Sequence, residues 1–392
     1  MIVAQPFPSL IKYMGSKTKI IDFIVDGIDL VHQKDRPILD LFAGSASLAG
    51  AIGKQVNFIS NDIQEYSKVL SQTYLVNLES HDVLDINQIY NQALEIVKAN
   101  EKQEYLVNYL TVSDMEEFNN LEEKQKNLID YNFSYEYHLF AKNYSGTWWA
   151  YEQCLWIDAL RQVAEIYKNS PIYPIFLSSL MFAMAYSSQG TGHYAQYRDA
   201  KTNSSFKDIC IYRKKEVFKF FNKKFNELCN YNLGGLNKFE SNFLASDFKK
   251  ALSLFEGGTV YADPPYCFVH YSRFYHALET LVLYDYPKIQ KKKDVIVKGR
   301  YREERHQSPF CIKTKVEGAF LDMFQGVQNS KSQVALSYSN TGMISLETMM
   351  EIAVSVWNSS KIELLTIDHK HMTLGRQGTR YRDVKECLLL VK

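Results

Sequence analysis

An α/β sheet with helices on both faces, interrupted by one large insertion, is the fold this sequence predicts. Three observations carry it. Short apolar runs lead into acidic residues at Ile38-Leu39-Asp40-Leu41-Phe42, at Val56 to Ile59 before Asn61-Asp62, and at Thr259-Val260-Tyr261-Ala262 before Asp263. The first of these runs through Ala43-Gly44-Ser45-Ala46 into a helical stretch from Ser47 to Lys54, which makes a strand, tight turn and helix unit. Between Glu65 and Asn242 that pattern gives way to acidic, Asn-rich and strongly aromatic sequence with helical periodicity in places. The chain has 392 residues, 46% of them hydrophobic, enough for a large core and for two domains or one domain with a big insertion.

The strand ending at Ala262 runs directly into Asp263-Pro264-Pro265-Tyr266. An acidic side chain, two φ-locked prolines and an aromatic ring are thereby fixed at a strand's carboxyl end. A carboxylate and a neighbouring backbone carbonyl can accept both hydrogens of a planar amino group, while a tyrosine ring stacks on the base that carries it. Alone, Asp-Pro-Pro is equally an ordinary turn, because Asp caps turns and Pro presets their dihedrals. The upstream turn narrows the choice. Phe42-Ala43-Gly44-Ser45-Ala46 has one glycine where dinucleotide-binding turns have three, which argues against a hydride-transfer cofactor. One glycine still lets the backbone approach a nucleoside that has no pyrophosphate to cradle. Asp62, about twenty residues past Phe42, is spaced to grip both hydroxyls of a ribose. S-adenosylmethionine fits these features, and the segment Lys12-Tyr13-Met14-Gly15-Ser16-Lys17-Thr18 offers a cation for its methionyl end. That segment is no phosphate loop, since Gly and Lys are not adjacent and the upstream glycine is missing. Its other reading is a helix start capped by Ser16 or Thr18.

In this order, Lys12-Tyr13-x-Gly15-x-Lys17, Asp40-Leu41-Phe42-Ala43-Gly44-Ser45, Asn61-Asp62-Ile63, Ser246-Asp247-Phe248, Asp263-Pro264-Pro265-Tyr266 and Ser337-Tyr338-Ser339-Asn340 resemble the Dam-like alpha group of N6-adenine-specific DNA methyltransferases. The resemblance implies a Rossmann-like, S-adenosylmethionine-dependent methyltransferase sheet with a C-terminal antiparallel hairpin. Residues 1–65 and 241–392 would form the catalytic domain, and 66–240 an inserted, mainly helical target-recognition domain. By the same resemblance Tyr13 and Lys17 contact the methionyl group, with Asp40, Phe42 and Gly44 beside it. Asp62 would bind the ribose, and Phe248 would flank the cofactor's adenine with Asp247 near its amino group. Asp263, Pro264, Pro265 and Tyr266 would face a flipped adenine, with Asp263 and the Pro264 carbonyl accepting its amino hydrogens. Ala46 departs from the family pattern, which has glycine there; its methyl would either tighten helix packing or narrow the methionyl pocket.

The net charge of +1 means that any DNA surface must come from local clustering. Within the insertion, Asn143 to Trp149 and Gly190 to Arg198 group aromatics and amides around glycines, and Lys201, Arg213, Lys214 and Lys215 follow. Gln196 and Arg198 are the candidate base readers, and Lys214 and Lys215 the phosphate contacts; aromatic loop packing is the competing reading. Leu155, Ala159, Leu160, Val163, Ala164 and Tyr167 share one helical face, which gives the insertion a core of its own. Asp114 to Lys126 reads as a solvated helix or loop. A second basic run, from Lys288 through Lys291-Lys292-Lys293 to Arg300, Arg302 and Arg305, reads as a mobile DNA-clasping loop or a solvated face. Two last strands, Ile362 to Ile367 and Cys387 to Val391, enclose a loop bearing Arg376, Arg380 and Arg382.

Six cysteines with no Cys-x-x-Cys pair indicate neither zinc nor disulfides, and the expected home is a reducing cytoplasm. Pro174 to Tyr186 is too short for a membrane span. The expected partners are DNA, double-stranded by preference, and a cognate restriction endonuclease. Rival readings are an amino-methyltransferase acting on cytosine or RNA, and a silent DNA-binding module. Serine more often replaces Asp263 in cytosine-directed relatives, and all four motif positions are intact here, which weighs against both.

Overall fold

The computed structural model describes the chain apart from residues 191, 236, 266–269 and 373–380 and the side chains of 368–372 and 381–384. Nine strands are present among the described residues: β1 (Ile38–Asp40), β2 (Phe58–Asp62), β3 (Ser241–Ala245), β4 (Thr259–Ala262), β5 (Lys291–Lys292), β6 (Val295–Ile296), β7 (Gln333–Ser339), β8 (Ile362–Met372) and β9 (Tyr381–Val391). Seven form one sheet in the order β3-β2-β1-β4-β7-β9-β8, and β5 and β6 pair separately. The first five of that order run parallel; β9 lies antiparallel to β7, and β8 antiparallel to β9.

The central strands are short and buried throughout, as expected where helices cover both faces. Alternate side chains feed two cores. Ile38, Tyr261, Ala335 and Leu388 point into one; Leu39, Val260, Val334 and Leu389 point into the other. The helices Phe248–Ser253, Val316–Asn329 and Leu346–Val356 cover the second face. β1 ends at Asp40 rather than Phe42, although the Leu41 and Ala43 N–H groups still bond Tyr261 O on β4 and Asn61 O on β2. The terminal strands extend past the predicted runs, with pairing continuing to Met372 and Tyr381.

The insertion is helical, but its main core is not its own. Leu160, Ile175 and Phe225 belong to the same buried cluster as Ile24, Ile38 and Leu388. The reason lies in the Glu65–Leu75 helix, which packs on β2 and β3 and also against the Ile172–Ser187 helix. Its Thr73 hydroxyl donates to Pro174 O at 2.9 Å and meets Ser178 Oγ at 2.7 Å, so both faces of the helix are buried. A smaller cluster of Tyr109, Phe118, Phe206 and Ile209 lies within the insertion alone. Among the described residues no helix is long and apolar enough to cross a membrane.

Candidate active site

The strand order reverses at β1, with β2 and β3 on one side and β4 and β7 on the other, so a crevice opens beyond the carboxyl ends. Asp40 ends β1, Asp62 ends β2 and Asp263 follows β4. All three line one cleft, together with Tyr13, Lys17, Phe42, Gly44, Asp247, Phe248, Pro264 and Pro265. Residues spread from Tyr13 to Pro265 in the chain are thus brought to a single place. Tyr266 lies outside the described residues.

The floor is built from the first turn. Asp62 Oδ2 accepts the Gly44 N–H at 2.9 Å and Oδ1 accepts the Gln64 N–H at 3.0 Å, which ties the β1 turn to the end of β2. Burial raises the Asp62 pKa, and those N–H groups oppose the rise. Gly44 sits at φ +52°, and a Cβ there would stand 2.9 Å from the Tyr13 hydroxyl oxygen. Tyr13 cannot easily withdraw, since its ring stacks on Tyr275 at 4.6 Å and Tyr271 at 5.8 Å. Gly44→Ala is therefore expected to cost about 1 kcal/mol in backbone strain and to weaken cofactor binding at least severalfold, as read by calorimetry. Ala46, also left-handed at φ +59°, is fully buried in the core. Its methyl thickens helix packing rather than narrowing the cleft.

Phe42 and Phe248 line the cleft with ring centroids 6.0 Å apart, and the buried Phe310 ring packs behind both at 5.4 and 5.2 Å. Asp247 accepts the Lys249 N–H at 2.9 Å and so caps the short helix that begins with Phe248. Asp40 is buried with Oδ1 lacking a hydrogen-bond partner; burial, with Asp263 and Asp62 adding to it, raises its pKa well above the usual carboxylate range. Asp263 is pushed up to about 6 by burial, opposed by Lys17 and assisted by Glu386. The Lys17 ammonium lies 3.2 Å from Asp263 Oδ1 and is also paired with Glu386. In the amino-terminal segment Ser16 accepts from the Thr18 N–H as a cap, and the Lys17 side chain turns inward onto Asp263 and Glu386.

Several residues in or near this site escape sequence reasoning. Glu386 carried a readable signal, an acid beside the apolar run Cys387–Val391. Glu279 carried none: its carboxylate accepts the Glu65 and Tyr66 N–H groups, each at 3.1 Å, and so caps the helix just beyond Asp62. Burial pushes Glu279 up to about 7.

The predicted DNA contacts scatter. Gln196 and Lys214 are exposed, whereas Arg198 pairs with Asp208 at 2.6 Å and Lys215 donates to Tyr186 O at 2.8 Å. Arg213 is not a base reader; it is buried on Glu122, which also shows that the Asp114–Lys126 region is a helix with a buried side. Trp148 and Trp149 are fully buried, so the Asn143–Trp149 patch is packing. The basic run that follows β4 is a paired ribbon rather than a free loop. Its turn residues Lys293 and Asp294 have φ of 52° and 60°, the primed-turn geometry that closes a two-residue hairpin between β5 and β6. Arg300 is buried and donates to Lys126 O at 3.3 Å. Arg302 holds Asp285 with two bonds of 2.7 and 2.6 Å, and Arg305 donates to Gln290 at 2.8 Å. Lys291, Lys292 and Lys293 are exposed at the ribbon's tip. Arg376 and Arg380 lie outside the described residues.

A mostly parallel sheet with acids at three neighbouring strand ends, two phenylalanine rings and an Asp-Pro-Pro corner in one cleft is the architecture of an α/β methyltransferase. The chain belongs to the D12 class N6 adenine-specific DNA methyltransferase family, whose model matches residues 13–352. It is 25% identical over 94% of its length to Modification methylase LlaI of Lactococcus lactis subsp. lactis, covering 52% of that protein. It is 25% identical over 88% of its length to Type II methyltransferase M.FokI of Planomicrobium okeanokoites, covering 47% of it. Type II methyltransferase M.NlaIII of Neisseria lactamica is 24% identical over 87% of this chain and 86% of its own length. The chain thus spans about half the length of the first two relatives.

Proposed function

We propose that this chain transfers the methyl group of S-adenosylmethionine to the 6-amino group of an adenine extruded from double-stranded DNA, as the modification half of a restriction-modification pair. The observation that carries this reading is the convergence of Asp40, Asp62, Phe248 and Asp263 on one cleft. The residues fit the cofactor. Gly44 lets the turn pass close beside Tyr13 without a Cβ in the way, the Phe42 and Phe248 rings offer an apolar wall to an adenine, and the partnerless Asp40 Oδ1 suits an ammonium. Bound there, S-adenosylmethionine supplies a methyl already activated by its sulfonium. Asp62 binds the ribose, and Tyr13 packs beside the methionyl group.

What the protein adds is alignment and a better nucleophile. An aromatic amino group is nearly planar and its lone pair is delocalised, so it attacks poorly. Asp263 and the Pro264 carbonyl accept its two hydrogens, favour a pyramidal nitrogen and hold it in line for attack. Unstacking the base from the duplex costs a few kcal/mol, and Tyr266 offsets part of that by stacking.

The exposed lysines of the β5–β6 ribbon supply phosphate contacts in place of the engaged arginines. Reversing Lys291, Lys292 and Lys293 to glutamate is expected to weaken DNA binding and to reduce the log–log salt slope by about 2–3, at roughly 0.9 for each phosphate left without its lysine. Sequence preference and cofactor affinity should stay as they were; an unchanged salt slope would remove the ribbon from the interface. The type II names of two relatives support a restriction partner. Incubation with labelled S-adenosylmethionine and mixed-sequence duplex, followed by digestion to nucleosides, tests the whole reading. N6-methyl-2′-deoxyadenosine is the expected product, and label on cytosine alone, or cofactor binding without transfer, would reject it.

A further inference from the structure

The last strand brings a third charged group to the catalytic corner. Glu386 lies on β9 at residue 386, beyond the 13–352 span of the family match, and is 1% exposed. Its Oε1 meets the Lys17 ammonium and accepts the Ser337 hydroxyl at 3.2 Å, while its Oε2 is buried with no hydrogen-bond partner. Lys17 in turn reaches Asp263 Oδ1 at 3.2 Å, and that oxygen is itself buried. The Asp263 side chain is 19% exposed, so the oxygen left open to the cleft is Oδ2.

We propose that Glu386 is a positioning residue that holds Lys17 on Asp263 Oδ1, so that Oδ2 is presented to the amino group in one fixed orientation and with its proton affinity set by the balance of the three charges. The proposal rests on the methyltransferase reading above. A lone ammonium beside Asp263 would neutralise it, leaving a poor acceptor. A second carboxylate on the far side of that ammonium restores negative charge at the corner and fixes the long lysine side chain, which alone would have several rotamers. Asp40 also faces Asp263 from the neighbouring strand β1, and Tyr261 faces it from β4. Among these groups Lys17 is the one that favours ionisation, and Glu386 is what anchors it. Glu386 simultaneously raises Asp263, which burial has pushed up to about 6. The signs of the two substitutions are therefore opposite.

Glu386→Gln keeps the size and one acceptor oxygen but removes the charge. Asp263 then feels Lys17 without a competitor, and the acid limb of the pH–rate profile is expected to move down by about one unit. The plateau rate should fall about tenfold as Lys17 loses its anchor. Lys17→Met leaves two facing carboxylates, and the acid limb should move up. A merely structural role for Glu386 would lower activity equally at every pH and leave the limb in place, and that result would overturn the proposal. The same titration can be read without turnover from the Asp263 carboxyl carbon by ¹³C NMR, assigned by its loss in Asp263→Asn. If the wild-type protein transfers no methyl but the carbon shifts in opposite directions in the two variants, the triad stands and the methyltransferase reading falls. If turnover is normal and neither limb nor carbon moves, the triad alone falls. Should Glu386→Gln not fold, the Lys17→Met direction decides, since a downward or absent shift there contradicts Lys17 acting on Asp263.

Discussion

Asp263→Ala is expected to lower methyl transfer by a thousandfold or more while cofactor binding changes only a few fold. The size follows from the role proposed for this side chain, the charged acceptor at the reacting nitrogen, because removing a single electrostatic partner of that kind commonly costs about 10²–10³ in rate. Loss of alignment adds to this, because the amino group is then free to turn out of line. Stability should fall little. Lys17 keeps its pairing with Glu386, so alanine at 263 leaves no buried ammonium without a counter-charge. Wild-type turnover should rise with pH through about 6 and level above it, since Asp263 accepts hydrogens only when ionised and burial has raised it to about 6. In Asp263→Ala any residual rate should lose that limb. Single-turnover rates across pH 5 to 8, with calorimetric cofactor titrations alongside, check each part; retained turnover in the variant would remove Asp263 from the chemistry.

How much of this was legible in the chain depends on the range of the interaction. The turn after β1, the acid at the end of β2 and the Asp263 corner are local patterns, each a strand end with its own residues, and the structure gathers them because parallel strands present all their carboxyl ends to one edge. The sequence also shows the terminal hairpin, whose strands are apolar runs. It fails where a long-range partner decides a side chain's fate. Arg302 and Asp285 are 17 residues apart, Arg213 and Glu122 are 91 apart, and in both cases the charge that looked available for DNA is spent within the protein. The segment holding Trp148 and Trp149 reads equally as a DNA contact or as aromatic loop packing; hydrophobic area decides, and both rings are buried. The separate core expected for the insertion fails for a related reason: helical periodicity tells which face is buried but not against what. Thr73 and Ser178, unremarkable polar residues, mark the seam where the insertion joins the sheet's own layer.

The buried pair of Glu122 and Arg213 should matter most for stability. Arg213 Nε donates to Glu122 at 3.0 and 3.2 Å, and its terminal nitrogens donate to Trp148 O at 2.7 Å and Thr147 O at 2.6 Å. Tyr109 donates to the same glutamate at 2.8 Å. With both residues 5% exposed or less, Glu122→Ala leaves an uncompensated guanidinium in the core, a loss of about 3–5 kcal/mol and a fall in melting temperature of roughly 10 °C. Replacing both partners, Glu122→Leu with Arg213→Met, should recover much of that, because no buried charge remains. The recovery would not extend to recognition. Arg213 holds the Thr147 and Trp148 carbonyls, Gln189 donates to Thr147 O, and the Gln189 side-chain oxygen accepts the Arg198 N–H at 3.3 Å, beside exposed Gln196. The ion pair is therefore the root of a hydrogen-bonded path to the segment proposed to read bases. A double variant with near wild-type stability but relaxed sequence preference is the expected result, measured by thermal unfolding and by sequencing methylated sites. Equal destabilisation in the single and double variants would show that the pair's charge is not what Glu122 contributes, and an unchanged site preference would detach Arg213 from recognition.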